Sequence, residues 1–383
     1  MSWKKKFVRN WGRLGMKFNR YALSDLATIK YGKNQKKVLS ESGNIPIYGT
    51  GGLMGYATTA LYDKPSVLIG RKGTIGKVKY VEHPFWTVDT LFYTIINTDI
   101  VLPKYLYYVM SLIDLNNYNE GTTIPSLRTE TLNRLEFDIP SLVEQETILS
   151  CLNPIDEKIA LNNAINNNLE QQAQAVYYKM FSEVNTVPVE LSSIIDVRDG
   201  THDSPKAQAT GYYLITSKHL LPFGVDKASA NHISKADFDK INERSLVETQ
   251  DILMSMIGTI GLISYIPYET VDFAIKNVAL FKTSHTPELA YYFLCYLKSE
   301  KTLQHIGKCL AGSTQKYISL GELRKMPIYS PTTNEIREFN CLVKPMFEKI
   351  VSRTYENALL AEMRDSLLPK LMSGELDVSK IDI

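Results

Sequence analysis

The sequence predicts a mixed α/β (α+β) protein in which a globular half followed by a long helix occurs twice. Three observations predict this fold class. A helical segment recurs without gaps, both copies have the spacing of helices that pack together, and the two halves share β-rich anchor sequences. At 383 residues the chain is also too long for one average domain, so two or three domains are expected.

The first observation is that residues 141–181 recur as residues 332–372. The residues that recur 191 positions apart are Pro154 with Pro345, Glu157–Ile159 with Glu348–Ile350, and Asn166 with Asn357. A register held over this length without an insertion indicates a duplication rather than two unrelated helices.

Both segments place apolar residues at alternating spacings of three and four, which is the a/d pattern of helices packed side by side. The predicted seam of the helix pair consists of Ile155, Ile159, Asn166, Leu169, Val176, Met346, Ile350, Asn357, Leu360 and Leu367. An asparagine inside such a seam lowers stability but can fix register and orientation. The alternative is a pair of surface helices with solvated asparagines.

The globular halves share anchors beyond the helices. Residues 21–33 align with 189–201, and residues 67–81 align with 252–266, where the sequence GTIG is identical. The β-branched and apolar residues that flank GTIG predict a strand–turn–strand unit. The loops between these anchors differ in length, and loops that vary on a shared scaffold are where different recognition is encoded.

Each half continues with a helix that begins at a proline. In Pro103–Met110 and Pro287–Leu294 the proline stands in the first turn and a tyrosine pair follows, which predicts a buried helix. We expect these tyrosines to be core residues rather than base-stacking platforms. The closing loop of each half aligns Leu127 with Leu320.

These anchors set the expected domain boundaries. The boundaries give a basic N-terminal tail (1–20), a first globular domain (21–140), a first spacer helix (141–185), a second globular domain (186–331), a second spacer helix (332–374) and a C-terminal tail (375–383). Residues 1–20 contain seven Lys and Arg residues and no acid. We expect this tail to be disordered or loosely docked, and contact with DNA phosphates is the alternative.

Composition excludes several classes of protein. The net charge of +2 means that nucleic-acid binding would depend on local basic patches and not on a global field. The four cysteines are dispersed, as expected of reduced thiols in a cytoplasmic protein rather than of a disulfide framework or a zinc site. No apolar run reaches membrane length and no signal peptide is visible.

The glycine-rich stretch GRKGTIGK at residues 70–77 is not a Walker A loop, because Val78 stands where a Mg²⁺-binding Ser or Thr belongs. A KH-type G-x-x-G loop joins helices, whereas the flanks here predict strands. Two interpretations remain. The stretch is either a hairpin whose glycines adopt positive φ, or such a hairpin placed against a ligand backbone.

Candidate DNA-binding residues cluster around the two GTIG hairpins and the loops near them. They are Lys33, Lys36, Lys37, Arg71, Lys72, Thr74 and Lys77 in the first half, and Arg198, His202, Lys206, Lys218, His219, Thr259 and Lys316 in the second. Basic runs interleaved with glycine and tyrosine suit phosphate contacts, and loop side chains suit base reading. The alternatives are a solvated basic face and, for His202, an ordinary surface histidine.

No catalytic pattern is present. The sequence lacks a glycine-rich loop for S-adenosylmethionine, an N-P-P-Y-like motif, a nuclease carboxylate–lysine cluster, H-E-x-x-H and G-x-S-x-G. We therefore expect no catalytic residue, no metal and no cofactor in this chain.

In this order, the motifs resemble those of the specificity (S) subunit of type I restriction–modification systems. The stretches that carry the resemblance are IPIYGTGGLMGY (45–56), RKGTIGKVKY (71–80), FWTVDTLFY (85–93), DGTHDSPK (199–206) and LLPKLMSGELDV (367–378). Each is weak alone, but together they cover nearly all of the chain after residue 20.

The resemblance implies two target recognition domains, each reading half of a split double-stranded DNA site, separated by an antiparallel pair of helices with pseudo-two-fold symmetry. It also implies two modification subunits, which bind S-adenosylmethionine and methylate adenine, and ATP-dependent restriction subunits that translocate and cleave DNA. The alternatives are a self-sufficient DNA methyltransferase or nuclease, and a helical scaffold that does not bind DNA.

Two features depart from the family pattern. The basic residues 1–20 have no counterpart in it, and Pro154 and Pro345 are expected to interrupt the spacer helices. A first helix that begins at Pro154 and ends at Phe181 would have 28 residues. It would be about 42 Å long, or roughly 12 base pairs of DNA.

Overall fold

The computed structural model describes residues 16–181, 187–312, 316–376 and 378. These residues form two compact units. The first unit runs to Ile159 and resumes at Leu359, and the second unit comprises Ala160–Ala358. Most of the predicted N-terminal tail and the last five residues, 379–383, lie outside the described residues.

The first unit is built around a four-stranded antiparallel sheet. Its elements are β1 (Asn19–Ala22), α1 (Leu23–Leu26), β2 (Ala27–Tyr31), β3 (Ile45–Gly49), β4 (Gly52–Ala57), β5 (Ser66–Gly70), β6 (Val78–Val81), β7 (Trp86–Thr87), β8 (Leu91–Ile96), α2 (Pro103–Ser111), α3 (Thr129–Asn133), β9 (Glu136–Ile139) and the start of α4 (Leu142–Phe181). The large sheet has the order β2-β8-β5-β6. A smaller sheet has the order β4-β3-β7, with β3 and β7 parallel, and β1 pairs with β9.

The second unit repeats this topology. Its elements are β10 (Val189–Glu190), β11 (Val197–Asp199), β12 (Tyr212–Ile215), β13 (Leu220–Leu221), β14 (Gly224–Val225), β15 (Asn231–Ile233), α5 (Lys235–Ser245), β16 (Ile252–Ser255), β17 (Ile263–Tyr265), β18 (Phe273–Ile275), β19 (Val278–Phe281), α6 (Ala290–Lys298), α7 (Glu300–Lys308), α8 (Leu320–Arg324), β20 (Pro327–Ile328) and α9 (Thr333–Met372). The sheets have the orders β11-β19-β16-β17, β15-β12-β18 and β10-β20. The predicted internal repeat of mixed α/β halves is therefore confirmed, and α5 and the β13–β14 pair are additions of the second half.

One glycine in each half shows how closely the backbone follows the repeat. Gly32 comes directly after β2, and a Cβ on it would lie 2.0 Å from the Val88 carbonyl oxygen. Gly200 comes directly after β11, and a Cβ on it would lie 2.3 Å from the Ile275 carbonyl oxygen. Both sites exclude any side chain, because the small sheet passes the end of the large sheet at backbone contact.

Both long helices start with the same capping arrangement. The carboxylate of Glu144 accepts hydrogen bonds from the backbone N–H and hydroxyl of Ser141, at 2.8 and 2.7 Å. Glu335 accepts the equivalent bonds from Thr332 at 2.7 and 2.8 Å. This capping box satisfies N–H groups that have no partner inside the helix, and it fixes where each helix begins.

The prolines do not interrupt the helices, which corrects the expected helix start at Pro154. Helices α4 and α9 each run for 40 residues without a break. A proline inside a helix removes one hydrogen bond and costs about 3 kcal/mol. Buried side chains next to each proline, Leu152 before Pro154 and Phe347 after Pro345, hold the turn in place. Each helix is therefore about 60 Å long.

Two further details differ from the predicted boundaries and alignment. Strand β1 begins inside the expected tail, at Asn19, which pairs with Ile139. Met16, which precedes the strand, is buried as well. In the closing loops, the structural equivalent of Leu127 is Ile318 and not Leu320. Both residues are buried, and the backbone N–H of each bonds to the start of a GTIG loop.

The tyrosine pairs belong to the core, as predicted. Tyr108 and Tyr292 are buried. Tyr107 lies 6.0 Å from the ring of Tyr80, and Tyr291 stacks on Phe347 at 4.8 Å between ring centroids. None of the described helices is both long and apolar enough to cross a membrane.

Candidate nucleic-acid interface

The GTIG hairpin of the first unit is the loop of residues 71–77 between β5 and β6. These strands pair antiparallel, so the predicted strand–turn–strand unit is confirmed. Gly73 has φ +86°, which requires glycine, and its N–H donates to the Pro125 carbonyl at 2.9 Å. A Cβ on Gly76 would lie 2.3 Å from Nδ2 of Asn116. The loop is therefore clamped by the segment around residue 125.

The hairpin of the second unit is clamped in the same way. Strands β16 and β17 pair antiparallel around residues 256–262, and Gly258 has φ +78°. The N–H of Ile318 donates to the Met256 carbonyl at 3.0 Å, and Ile257 forms a bridge with Tyr317. Thr74 and Thr259 occupy equivalent GTIG positions and are exposed. Each half therefore has one hairpin loop of this kind, and the two loops are at equivalent positions of the repeat.

The candidate lysines of the first unit lie apart from the acidic side chains. The predicted DNA-binding lysines of this unit are exposed, and within the described part of the chain none lies within 4.0 Å of a carboxylate; they are Lys33, Lys36, Lys37, Lys72 and Lys77. Unpaired ammonium groups on one small domain create a local positive potential. The indole N–H of Trp86 donates to the Lys33 carbonyl at 2.8 Å and fixes the turn that carries the first three lysines.

Arg71 is held differently from the lysines. It is half-buried, and its Nη1 donates to the Asp89 carbonyl at 2.9 Å. Its guanidinium carbon lies 5.0 Å from the ring centroid of Tyr31, a cation–π distance. The fold therefore orients this guanidinium in advance and leaves other N–H groups of its fork without a described partner.

In the second unit, the side chains of Arg198 and His202 bind other residues of the same unit. Arg198 forms an ion pair with Asp196 at 2.6 Å. The ring nitrogens of His202 lie 3.0 Å from Oδ2 of Asp199 and 2.8 Å from Oδ1 of Asn277. His202 is exposed, yet its two ring nitrogens connect the loop after β11 to Asp199 in β11 and to Asn277 in the turn between β18 and β19.

His219 does not belong in the interface, which corrects the prediction. Its side chain is 2% exposed, and Nδ1 accepts a hydrogen bond from the Thr216 N–H at 3.0 Å. Burial, together with the Lys218 ammonium, lowers the pKa of His219, so the ring stays neutral near pH 7. The predicted residues of the second half that remain exposed are His202, Lys206, Lys218, Thr259 and Lys316.

The ten predicted seam residues all lie on covered faces of the helices. Ile350 is buried and the other nine are half-buried. In the second unit, Nδ2 of the buried Asn162 donates to Oδ1 of Asn357 at 2.9 Å and to Oε2 of Glu356 at 2.8 Å. Tyr177, later in α4, packs on Phe339, earlier in α9. The two helices are therefore antiparallel within this unit.

The helices also meet within the first unit, through an ionic cluster. Asp156 on α4 accepts hydrogen bonds from Tyr108 Oη and from Arg364 Nη1 on α9, the latter at 3.1 Å. The Lys104 ammonium lies 3.2 Å from the same carboxylate. Burial alone would raise the pKa of Asp156, but these donors outweigh it and hold the pKa below its ordinary value. Among the described residues, no group of three or more His, Cys, Asp or Glu side chains could hold a metal ion.

The structure is therefore a duplicated α/β scaffold in which each half has an equivalent clamped hairpin and is followed by a long helix. The chain belongs to the family of the type I restriction modification DNA specificity domain, which matches it twice, at residues 16–171 and 184–339.

Relatives in this family extend over most of the chain. The specificity subunit of the type I restriction enzyme MjaIX from Methanocaldococcus jannaschii is 26% identical over 354 residues, covering 84% of this chain and 80% of the relative. The HindI specificity subunit from Haemophilus influenzae is 23% identical over 385 residues, covering 79% and 84%. The crystal structure of the S subunit from M. genitalium has a TM-score of 0.51 at 16% identity and covers 93% of this chain and 96% of that one, which shows a shared fold.

Proposed function

We propose that this chain recognises a bipartite DNA target, and that each globular domain reads one half of it. The observation that carries the proposal is the pairing of two family domains with two equivalent hairpin loops, clamped by equivalent backbone bonds. A duplicated reader suits a target of two separate half-sites, because each domain can present its own loops to its own bases.

The candidate residues of the two domains would contact the DNA in different ways. In the first domain, Lys33, Lys36, Lys37, Lys72 and Lys77 would contact phosphates and Arg71 would act as an oriented donor. In the second domain, this role would fall to Lys206, Lys218 and Lys316. The exposed threonines Thr74 and Thr259 would meet the DNA at equivalent places. The GTIG hairpins would then lie against the DNA backbone.

The chain would direct other subunits to the bound site. Two modification subunits would bring S-adenosylmethionine and methylate adenine, and ATP-dependent restriction subunits would cleave. The chain itself would be non-catalytic. Methyltransferase or nuclease activity of the isolated chain is the competing proposal, and S-adenosylmethionine binding by the isolated chain would favour it. A scaffold without DNA affinity is the third, favoured by absence of DNA binding at low salt even with partners present.

Domain exchange tests the proposal. Residues 186–331 are replaced by the equivalent region of a relative, and methylated sites are mapped across the genome of a host that carries the chain with its modification subunits. We expect one half of the methylated sequence to change and the other half to remain. A change in both halves would contradict independent reading by the two domains.

A further inference from the structure

Building on the proposed DNA-binding function, we propose that Leu53 and Met54, at the tip of the β3–β4 hairpin, contact thymine methyl groups in the half-site of the first domain. These two residues would help to determine which bases that domain selects.

The first observation is exposure. Leu53 and Met54 have 54% and 56% of their surface exposed, although both are large and apolar. Leu39 and Tyr56, next to them on the same hairpin and its flanking turn, are exposed by 55% and 45%. Leu39 belongs to this surface because it bridges to Ala57 and its Cδ1 would lie 2.9 Å from a Cβ on Gly55. Several large apolar side chains exposed on one short segment mark an interaction surface.

The second observation is that the tip projects. A Cβ added to Gly51 or Gly52 would meet no atom within 4 Å, so the turn stands in open space. Gly52 has φ +115°, which lets the two strands reverse within a few residues. A two-stranded ribbon of this kind is narrow enough to enter the major groove of DNA.

The third observation concerns charge. Thr50, in the same turn, has its Oγ1 3.9 Å from the Cβ position of Gly73, so the tip lies beside the GTIG loop. That loop carries Lys72 and Lys77, which have no carboxylate within ion-pairing distance in the described part of the chain. An apolar tip beside unpaired ammonium groups matches a DNA groove, whose base edges are flanked by phosphates. An apolar protein surface would gain nothing from these cations.

The second unit provides a contrast on the same scaffold. Its central strand β12 is followed by the additional β13–β14 pair instead of a tight turn. In the small sheet, Asn231 of β15 pairs with Leu214 of β12, which is the place that Leu53 of β4 occupies opposite Tyr48 of β3. The scaffold is therefore shared and the tip is not, as expected at the place where two half-sites differ in sequence.

Thymine is the base that fits an apolar tip, because its 5-methyl group is the one apolar group that a base pair displays in the major groove. Uracil pairs identically but lacks this methyl group. Loss of one buried methyl contact weakens binding about fourfold. Replacement of thymine by uracil therefore removes the proposed contact without changing any hydrogen bond.

The test uses the chain in complex with its modification subunits and a duplex that contains the methylated target found by genome mapping. Each thymine of the half-site read by the first domain is replaced by uracil in turn, and binding is measured by fluorescence anisotropy. We expect the wild-type complex to lose about fourfold at one or two positions. The variant Leu53→Ala/Met54→Ala should bind thymine and uracil duplexes equally. Leu342→Ala, an exposed leucine of α9, should keep the wild-type pattern.

Two outcomes would overturn the inference while leaving the proposed function intact. One is a wild-type complex that is indifferent to uracil throughout that half-site. The other is a double variant that retains the wild-type thymine preference, or one that no longer assembles with the modification subunits on size-exclusion chromatography, which would assign the apolar tip to a protein contact instead of DNA. A wild-type complex without any site-specific binding would overturn the proposed function as well. The wild-type uracil scan is independent of any folding defect in the variants.

Discussion

At the scale of single residues, the fold prepares the cations of the first hairpin loop to different degrees. Arg71 is oriented by the ring of Tyr31 and by the Asp89 carbonyl, whereas Lys72 and Lys77 are free to follow a phosphate. An oriented guanidinium loses less side-chain entropy when it binds than a flexible ammonium group does. The three residues should therefore contribute differently to affinity and to its salt dependence.

We predict that Lys72→Gln/Lys77→Gln weakens DNA binding by the complex on all sequences and makes its dependence on log salt less steep by about 2. Each phosphate contact contributes about 0.9 to that slope. Binding isotherms at several salt concentrations measure it. Lys370→Gln, an exposed lysine of α9, serves as the control. An unchanged slope in the double variant would show that this loop faces away from the DNA.

Lys282 differs from the lysines of the hairpin loop because its ammonium group is buried. It is 1% exposed and donates to Asp251 at 2.6 Å, to Glu248 at 2.7 Å and to the Leu246 carbonyl at 3.1 Å. All three of its protons are thus used. Asp251 is fully buried, so removal of the lysine would leave a carboxylate without its counter-ion.

We predict that Lys282→Met lowers the unfolding free energy of the second unit by about 3–5 kcal/mol, the usual consequence of breaking one partner of a buried pair. Urea unfolding measures the change. Lys235→Met removes an exposed lysine that pairs with Asp239 in the same unit, and it should have little effect. Equal effects of the two substitutions would contradict the structural role assigned to burial.

At the scale of elements, the ion pairs and hydrogen bonds of α4 and α9 explain how a polar seam can be stable. In the first unit Arg364 donates to the Asp156 carboxylate, and in the second Nδ2 of Asn162 donates to Oδ1 of Asn357. The depressed pKa of Asp156 links this packing to pH. A carboxyl group whose pKa is lower when folded stabilises the fold above its unfolded pKa, and this contribution is lost as pH falls through the folded pKa.

We predict that Asp156→Asn destabilises the first unit by about 1–2 kcal/mol at pH 7, because charged hydrogen bonds are lost from a partly exposed site. The difference from the wild type should shrink as pH falls below about 4, where the carboxyl group of the unfolded chain takes up a proton, and should continue to shrink through the lower pKa of the folded carboxyl group. Unfolding curves at pH 7 and pH 3 provide the test. Asp365→Asn, which alters a more exposed partner of Arg364, should show a weaker trend. A pH-independent difference would exclude the linkage.

At the scale of the whole molecule, the sequence predicts the repeat because duplication preserves spacing, and spacing is visible in a single chain. Capping residues, GTIG glycines and tyrosine pairs recur at positions where the backbone leaves little choice. What the sequence could not predict depends on tertiary packing. Helices that continue through Pro154 and Pro345 depend on buried neighbours, and the burial of His219 depends on a turn with no counterpart in the first half.

The sequence alone does not predict the exposed tip at Leu53 and Met54, for a related reason. The sequence of an edge strand does not show which of its faces a neighbouring segment covers. The sequence does predict that the tyrosines of α2 and α6 lie in the core, because a helix that carries aromatic pairs needs a core to bury them.

The antiparallel pairing constrains how the helices could set the distance between half-sites. Inserting four residues after Asn166 alone would move Tyr177 one turn away from Phe339, because the insertion displaces one helix past the other. A matched insertion needs four residues beside Arg353 as well, since that part of α9 lies opposite. The pairing of Asn162 with Asn357 shows the register on which both insertions are based.

We predict that the matched insertion lengthens the unread spacer of the methylated target by one or two base pairs, because four residues add about 6 Å of helix. The half-sites themselves should be unchanged, since no loop of either domain is altered. Genome mapping of methylated sites in the host measures both the spacer length and the sequences of the half-sites. The single insertion in α4 should instead lower the thermal midpoint, because it separates aromatic partners that pack across the pair. A spacer that stays the same in a stable, matched variant would show that helix length does not set the distance between the two half-sites.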